Sequence, residues 1–149
     1  MALIIFTLAV ILYIFVALRV KQWEVITVLG FPTETPKYYL QHPSIYNFVR
    51  IACYIVAIIT VILSPYKYSV AVGFPIIGLL WFIVNNAGVN RGIKEYRRVM
   101  KETREYYETN PAEDGGDFYK LAKQSSALID NQIYEMYKEK VKLHNMMRR

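Results

Sequence analysis

Apolar residues are concentrated in the first ninety positions of the chain, in three runs separated by polar segments. The runs cover about residues 2–20, 45–63 and 70–87. A helix needs about 20 apolar residues to cross the hydrocarbon core of a bilayer, and each run approaches that length. The pattern therefore predicts an all-α protein in which residues 1–87 form a membrane domain of three spanning helices.

The segment between the first two runs, residues 22–44, has a mixed character. Its first part remains apolar enough to extend the first helix along or out of the membrane interface. Gly30, Pro32, Pro36 and Pro43 follow, and proline lacks the amide donor that a regular helix needs. Residues 22–44 are therefore predicted to be an interfacial segment and loop.

Beyond residue 87 the apolar positions take steps of three and four, which is typical of a helix that packs along one side. Residues 109–116 interrupt this pattern with Asn-Pro and Gly-Gly, and a second stripe follows. Residues 88–149 are predicted to form a cytoplasmic helical hairpin, with helices at about 89–108 and 118–147 lying antiparallel. The predicted contact seam for a partner consists of Ile93, Tyr96, Met100, Tyr107, Ile129, Ile133 and Met136.

The distribution of basic residues predicts the orientation of the chain in its membrane. The net charge is +6, and seventeen of the eighteen lysines and arginines lie outside the turn between the second and third runs, which holds Lys67. Basic residues favour the cytoplasmic side, so the N-terminus is predicted outside and the C-terminal region in the cytoplasm, at a cell or organellar inner membrane. The predicted lipid-headgroup contacts are Arg19, Lys21, Trp23, Arg50, Arg91, Arg148 and Arg149.

The third run contains residues suited to helix packing or to polar contacts inside the membrane: Gly73, Pro75, Gly78, Asn85 and Asn86. Glycine lets helices approach closely, proline removes a helical hydrogen bond, and an amide in hydrocarbon needs a partner. Gly88 and Gly92 are separated by three residues, a spacing that lets membrane helices pack closely. However, Arg91 lies between them at the interface, so they give little support to a membrane dimer.

No catalytic, metal or cofactor motif stands out in the sequence. Cys53 is the single cysteine and cannot complete a zinc site with His42 and His144. No phosphate-binding glycine motif is present. Acidic and basic residues interleave in the tail, whereas a nucleic-acid surface would group uncompensated bases. We therefore expect no cofactor and no nucleic acid, and we expect membrane lipids and other membrane subunits as partners.

These features favour a non-catalytic accessory or assembly subunit of a larger membrane complex, because the chain offers binding surfaces and no reactive groups. One alternative is a small homo-oligomeric channel or solute carrier, with Pro75, Gly78, Asn85 and Asn86 lining a pore. A second is a membrane anchor or regulator that recruits a soluble partner through its C-terminal helices. A membrane enzyme is the least favoured class, since the middles of the three runs are apolar.

Overall fold

A computed structural model describes residues 2–30, 35–63, 69–111 and 115–147. Secondary structure in these residues is entirely helical: α1 Ala2–Leu29, α2 Lys37–Gln41, α3 Pro43–Ile62, α4 Ser69–Thr109, α5 Gly116–Ser126 and α6 Asp130–Met147. Three of these helices, α1, α3 and α4, are long and apolar enough to cross a membrane. The all-α, three-span prediction is confirmed, and the chain is a multi-pass membrane protein.

The three spanning helices pack into one small bundle. Ala9 of α1 shares a cluster with Val61 of α3 and Ile77 of α4, and Tyr13 shares the next cluster with Cys53 and Val84. Residue numbers rise together along α1 and α4 and fall along α3. Hence α1 and α4 run parallel, and α3 runs antiparallel to both.

The outer faces of the bundle are apolar. Leu3 is 76% exposed, Phe48 71% and Leu79 60%. In a soluble protein such residues would form an unstable surface, but in a bilayer they contact lipid chains. The bundle therefore offers apolar lateral surfaces both to lipid and to other helices.

Helix α4 continues unbroken from the membrane segment to Thr109, and α1 extends beyond its own span to Leu29. Beyond the span the two helices share a hydrophobic cluster with α5 and α6. Its buried members are Val25, Ile26, Leu29, Ile93, Tyr96, Val99, Met100, Ala122, Ile133 and Tyr137. The boundary predicted at residues 87–88 thus falls inside α4, and packing continues across it.

The C-terminal region differs from the predicted two-helix hairpin, because the second helix is divided into α5 and α6 at residues 127–129. The guanidinium of Arg97 donates a hydrogen bond to the Leu128 carbonyl oxygen at 2.9 Å. The Gln132 side chain accepts a hydrogen bond from the Ile129 amide at 3.0 Å, so it caps the new helix. These side-chain bonds replace helical backbone bonds at the break.

Only α5 returns antiparallel along α4. The Tyr96 hydroxyl donates a hydrogen bond to the Ser125 hydroxyl at 3.1 Å, and Gly115, at the other end of α5, lies against the Tyr107 ring. Helix α6 instead turns toward the end of α1, where Tyr137 contacts Glu24. The cluster beyond the membrane is therefore built from four helices and includes the end of α1.

Candidate functional site

Two glycines of α4 bring this helix into close contact with α1. A Cβ on Gly88 would lie 2.6 Å from the Lys21 Cβ and 3.2 Å from the Leu18 carbonyl oxygen. A Cβ on Gly92 would lie 2.6 Å from the Val25 Cβ. Hydrogen is the only side chain that fits at these distances. The Gly88/Gly92 spacing therefore serves packing within this chain, between α1 and α4.

Glycines in the first half of α4 have different surroundings. A Cβ on Gly73 would lie 2.6 Å from a methyl carbon of Val61, so this glycine brings α4 close to α3. A Cβ on Gly78 would meet nothing within 4 Å, and Pro75 is exposed inside the helix. Gly78 and Pro75 thus lie on the outer face of the bundle.

A small group of polar atoms lies inside the bundle. Tyr13 is 2% exposed, and its hydroxyl has no hydrogen-bond partner among the described residues. Nη1 of Arg50 is also buried, and it has no hydrogen-bond partner within the part of the chain that the structure describes. The Asn85 side chain lies beside Tyr13 without hydrogen-bond geometry, and its Nδ2 donates to the Trp81 carbonyl oxygen at 2.8 Å. Asn86 is exposed.

An aromatic cluster surrounds the point where α3 begins. The ring centroid of Trp23 lies 5.2 Å from that of Tyr39 and 5.7 Å from that of Tyr46. Tyr38 extends the group, with its ring 5.0 Å from His42. Tryptophan and tyrosine favour the headgroup region, where an apolar ring and a polar tip are both satisfied. We therefore expect this cluster at the level where α1 and α3 leave the hydrocarbon.

Helix α6 is attached to the end of α1 by two polar contacts. The Tyr137 hydroxyl donates a hydrogen bond to Oε1 of Glu24 at 3.3 Å, while Lys21 pairs with Oε2 of the same carboxylate at 2.7 Å. Nζ of Lys140 donates to the Leu29 carbonyl oxygen at 3.2 Å. A lysine at this position satisfies a free carbonyl at the helix C-terminus.

The surroundings of Glu24 influence the nearby tyrosines. Burial, and then the negative charge of Glu24, raise the pKa of Tyr137. Burial is also the main cause of the raised pKa of Tyr39, with Glu24 second. Both hydroxyls therefore stay protonated at neutral pH.

A cavity of about 370 Å³ lies beside these contacts, between α1, α6 and the start of α3. Its lining residues are Glu24, Thr27, Val28, Tyr39, Leu40, Pro43, Val141, His144 and Asn145. Glu24 is already engaged by Lys21 and Tyr137, so its carboxylate balances the charge of a neighbouring lysine. The cavity thus combines apolar walls with a few hydrogen-bonding groups at headgroup level.

The predicted headgroup contacts lie in several environments. Arg19 is exposed and donates to the Gln22 side chain at 3.4 Å, Lys21 pairs with Glu24, and Trp23 belongs to the aromatic cluster. Arg91 is exposed, whereas Arg50 is half-buried. Arg148 and Arg149 lie outside the described residues.

The predicted partner seam divides into buried and exposed positions. Ile93, Tyr96, Met100 and Ile133 are buried in the cluster beyond the membrane, and Met136 packs at its edge. Tyr107 lies with its ring 6.0 Å from that of Tyr119. Ile129 is 57% exposed, at the break between α5 and α6. Most of the seam is thus covered by the chain itself.

Sequence reasoning missed that α1 contributes to this cluster. Val25, Ile26 and Leu29 are each at most 3% exposed there. Their spacing of one, three and four residues was the available signal, because it places them on one helical face. The sequence pattern instead predicts that these residues belong to the interfacial segment 22–44.

The packing fixes the helices against one another and leaves apolar side chains exposed on the outer face of the bundle. Among the described residues, no group of three or more His, Cys, Asp or Glu side chains is placed to hold a metal ion. Cys53, the free cysteine, is buried inside the bundle. Comparison of the chain with protein-family models, curated proteins and solved structures finds no match.

Proposed function

We propose that this protein is a non-catalytic accessory or assembly subunit of a larger membrane complex. The observation that carries the proposal is the shared path of α1 and α4, which cross the membrane side by side and then enter one hydrophobic cluster. Such a pair connects a membrane-embedded surface rigidly to a helical unit outside the bilayer. Its role is to hold partner subunits in a fixed geometry.

Partner subunits would bind the outer face of the bundle. Gly78 and Pro75 lie on this face, near exposed side chains such as Leu79 and Phe82. Membrane helices associate mainly through close van der Waals packing, which small residues permit. A neighbouring helix that fits against Gly78 would replace lipid at little cost in hydrophobic energy.

The proposed orientation follows the basic residues. Arg19, Lys21 and Arg91 lie at the end of the bundle from which α5 and α6 extend. Because basic residues favour the cytoplasmic side, we assign α5 and α6 to the cytoplasm and the N-terminus to the outside of a cell or organellar inner membrane.

A second candidate function is an anchor or regulator that recruits a soluble protein. Exposed apolar side chains on the unit outside the membrane favour it: Ile129 is 57% exposed, Phe118 45% and Leu121 43%. These residues lie near the α5–α6 break and along α5. The two functions differ in whether the partner is embedded in the membrane.

Photo-crosslinking in the native membrane tests the proposal. A photoreactive amino acid at Leu79, on the outer face, should capture an unrelated membrane protein, while the same group at Phe118 tests recruitment of a soluble one. The matched control is Met100, which is fully buried and should give no intermolecular product. Native mass measurement after mild extraction should then show this chain together with the captured protein. Recovery of a homogeneous monomer, or of a homo-oligomer that conducts ions, would contradict the accessory role.

A further inference from the structure

One side of α6 carries exposed lysines and adjoins residues at the start of the spanning helix α3. Lys138, Val141, Lys142, Asn145 and Met146 line a shallow groove on this helix. Val141 and Asn145 also line the cavity that α6 forms with α1 and the start of α3. The groove and the cavity are therefore adjacent, and together these five residues define the α6 flank.

The α6 flank lies at the level of lipid headgroups. The cavity that it borders is closed on the other side by Tyr39, Leu40 and Pro43. Pro43 is the first residue of a spanning helix, and the Tyr39 ring stacks in the aromatic cluster with Trp23. Because such aromatic residues mark the headgroup region, the flank borders the same region.

The charges of α6 are divided around the helix. Lys138 and Lys142 are four residues apart and thus lie on one face. Glu139 follows Lys138 by one residue and so lies about 100° around the helix. Lys140 is directed to the Leu29 carbonyl oxygen at the end of α1. Glu135 lies on the same side of α6 as the two flank lysines and pairs with Lys138. Lys138, Lys142 and Glu135 together give this side of the helix one net positive charge.

The side chains of the flank suit an interfacial position. Nζ of Lys138 lies 4.8 Å from the centroid of the Tyr134 ring and 2.7 Å from a Glu135 carboxylate oxygen. The Lys142 side chain is exposed, and Met146, one turn further on, is 54% exposed. Long basic side chains and a flexible apolar one together can contact headgroups and the upper part of the acyl chains.

We infer that the α6 flank binds anionic lipid headgroups of the adjacent leaflet through Lys138 and Lys142, with Met146 inserted beside them. Each lysine held near an anionic surface strengthens the association about fivefold. The attraction is electrostatic, so it weakens as salt concentration rises. This contact requires lipid alone and is independent of any protein partner.

Site-directed spin labelling of the full-length protein in vesicles tests the inference. The label is attached at Met146→Cys in a Cys53→Ala background, and its collision rate with a water-soluble nickel complex is measured. The control position is Lys123→Cys, an exposed site on α5. In vesicles containing phosphatidylglycerol, the label at 146 should be several-fold better protected than the label at 123.

Charge variants separate lipid binding from simple burial. Lys138→Gln with Lys142→Gln should raise the collision rate at 146 in phosphatidylglycerol vesicles, whereas Lys120→Gln with Lys123→Gln on α5 should leave it unchanged. Replacing phosphatidylglycerol by phosphatidylcholine, or adding salt, should act like the first pair of substitutions. Equal collision rates at 146 in the two lipids, or no effect of the α6 substitutions, would overturn the inference.

Discussion

Gly92 of α4 lies so close to Val25 of α1 that a Cβ on the glycine would come within 2.6 Å of the valine Cβ. Gly92→Ala should therefore push α1 and α4 apart and destabilise the protein by about 1–3 kcal/mol. The matched control is Gly78→Ala, because a Cβ at Gly78 meets nothing within 4 Å. It should be neutral or stabilising by up to about 1 kcal/mol, since alanine favours helix more than glycine does.

The thermal unfolding midpoint of both variants in the same detergent measures this difference. Equal midpoints for Gly92→Ala and Gly78→Ala would contradict the close approach of α1 and α4. A loss in both variants would point instead to a lipid or helix contact at Gly78.

Loss of the hydroxyl group should affect stability differently at two buried tyrosines. The Tyr13 hydroxyl has no hydrogen-bond partner among the described residues, so Tyr13→Phe should retain or raise stability. Tyr96 donates to Ser125 at 3.1 Å inside the cluster, and Tyr96→Phe should cost about 1 kcal/mol. Denaturant or thermal unfolding of the two variants provides the comparison. A larger loss for Tyr13→Phe would show that this hydroxyl binds water, lipid or another subunit in the membrane.

The contact between Tyr137 and Glu24 should fail at alkaline pH. Burial and the Glu24 charge raise the pKa of Tyr137 above its ordinary value of about 10. Stability from this neutral hydroxyl is then fully present below about pH 10 and is lost as pH rises through the folded-state pKa. The stability advantage of wild type over Tyr137→Phe should therefore decrease above that pH. Thermal unfolding of wild type and Tyr137→Phe at a series of pH values measures this difference.

Arg97 should hold the break between α5 and α6 in place. Its guanidinium donates to the Leu128 carbonyl oxygen at 2.9 Å and lies 3.0 Å from Oδ1 of Asp130, as an ion pair without hydrogen-bond alignment. Because the pair is partly exposed, Arg97→Ala should cost only about 1 kcal/mol. Hydrogen exchange should nevertheless accelerate at residues 127–133. Arg98→Ala, which removes exposed pairs with Glu95 and Glu102, should leave exchange at these residues unchanged.

The membrane part of the fold follows from the sequence because lipid imposes a simple requirement. A spanning segment must satisfy its backbone hydrogen bonds internally and expose apolar side chains. An apolar run such as Val70–Ala87 therefore predicts a helix, and its length approaches the thickness of the bilayer core. The position of Pro43 also predicts a helix start, since the first turn tolerates proline. These features depend on neighbouring residues and are readable without tertiary structure.

The path of the chain beyond the membrane could not be read in the same way. The apolar stripe of residues 118–147 has the period of one helix, and the break is contacted by Arg97, a residue about 30 positions away. Likewise, Val25 and Ile26 are apolar whether they face lipid or a protein cluster. The helix break and the burial of Val25 and Ile26 each involve contacts between distant segments. The local sequence pattern would be the same without those contacts.

Some features of the candidate site could likewise be predicted from the sequence, and others could not. Gly88 and Gly92 were identifiable as a close-packing pair, yet the spacing alone does not say whether the partner is another chain or α1. The polar contacts of α6 with Glu24 and Leu29 join residues more than 100 positions apart. Such contacts leave no periodic signal in the sequence.

Helix α4 has 41 residues and is about 60 Å long. Roughly half of that length lies beyond Gly88, where α1 is pressed against it. A tilt of the bundle by about ten degrees would accordingly swing the far tip near Thr109 through about 5 Å, on the geometry of a straight helix. Because α4 is continuous, a slight change of tilt inside the bilayer would become a displacement of several ångströms at its distal end.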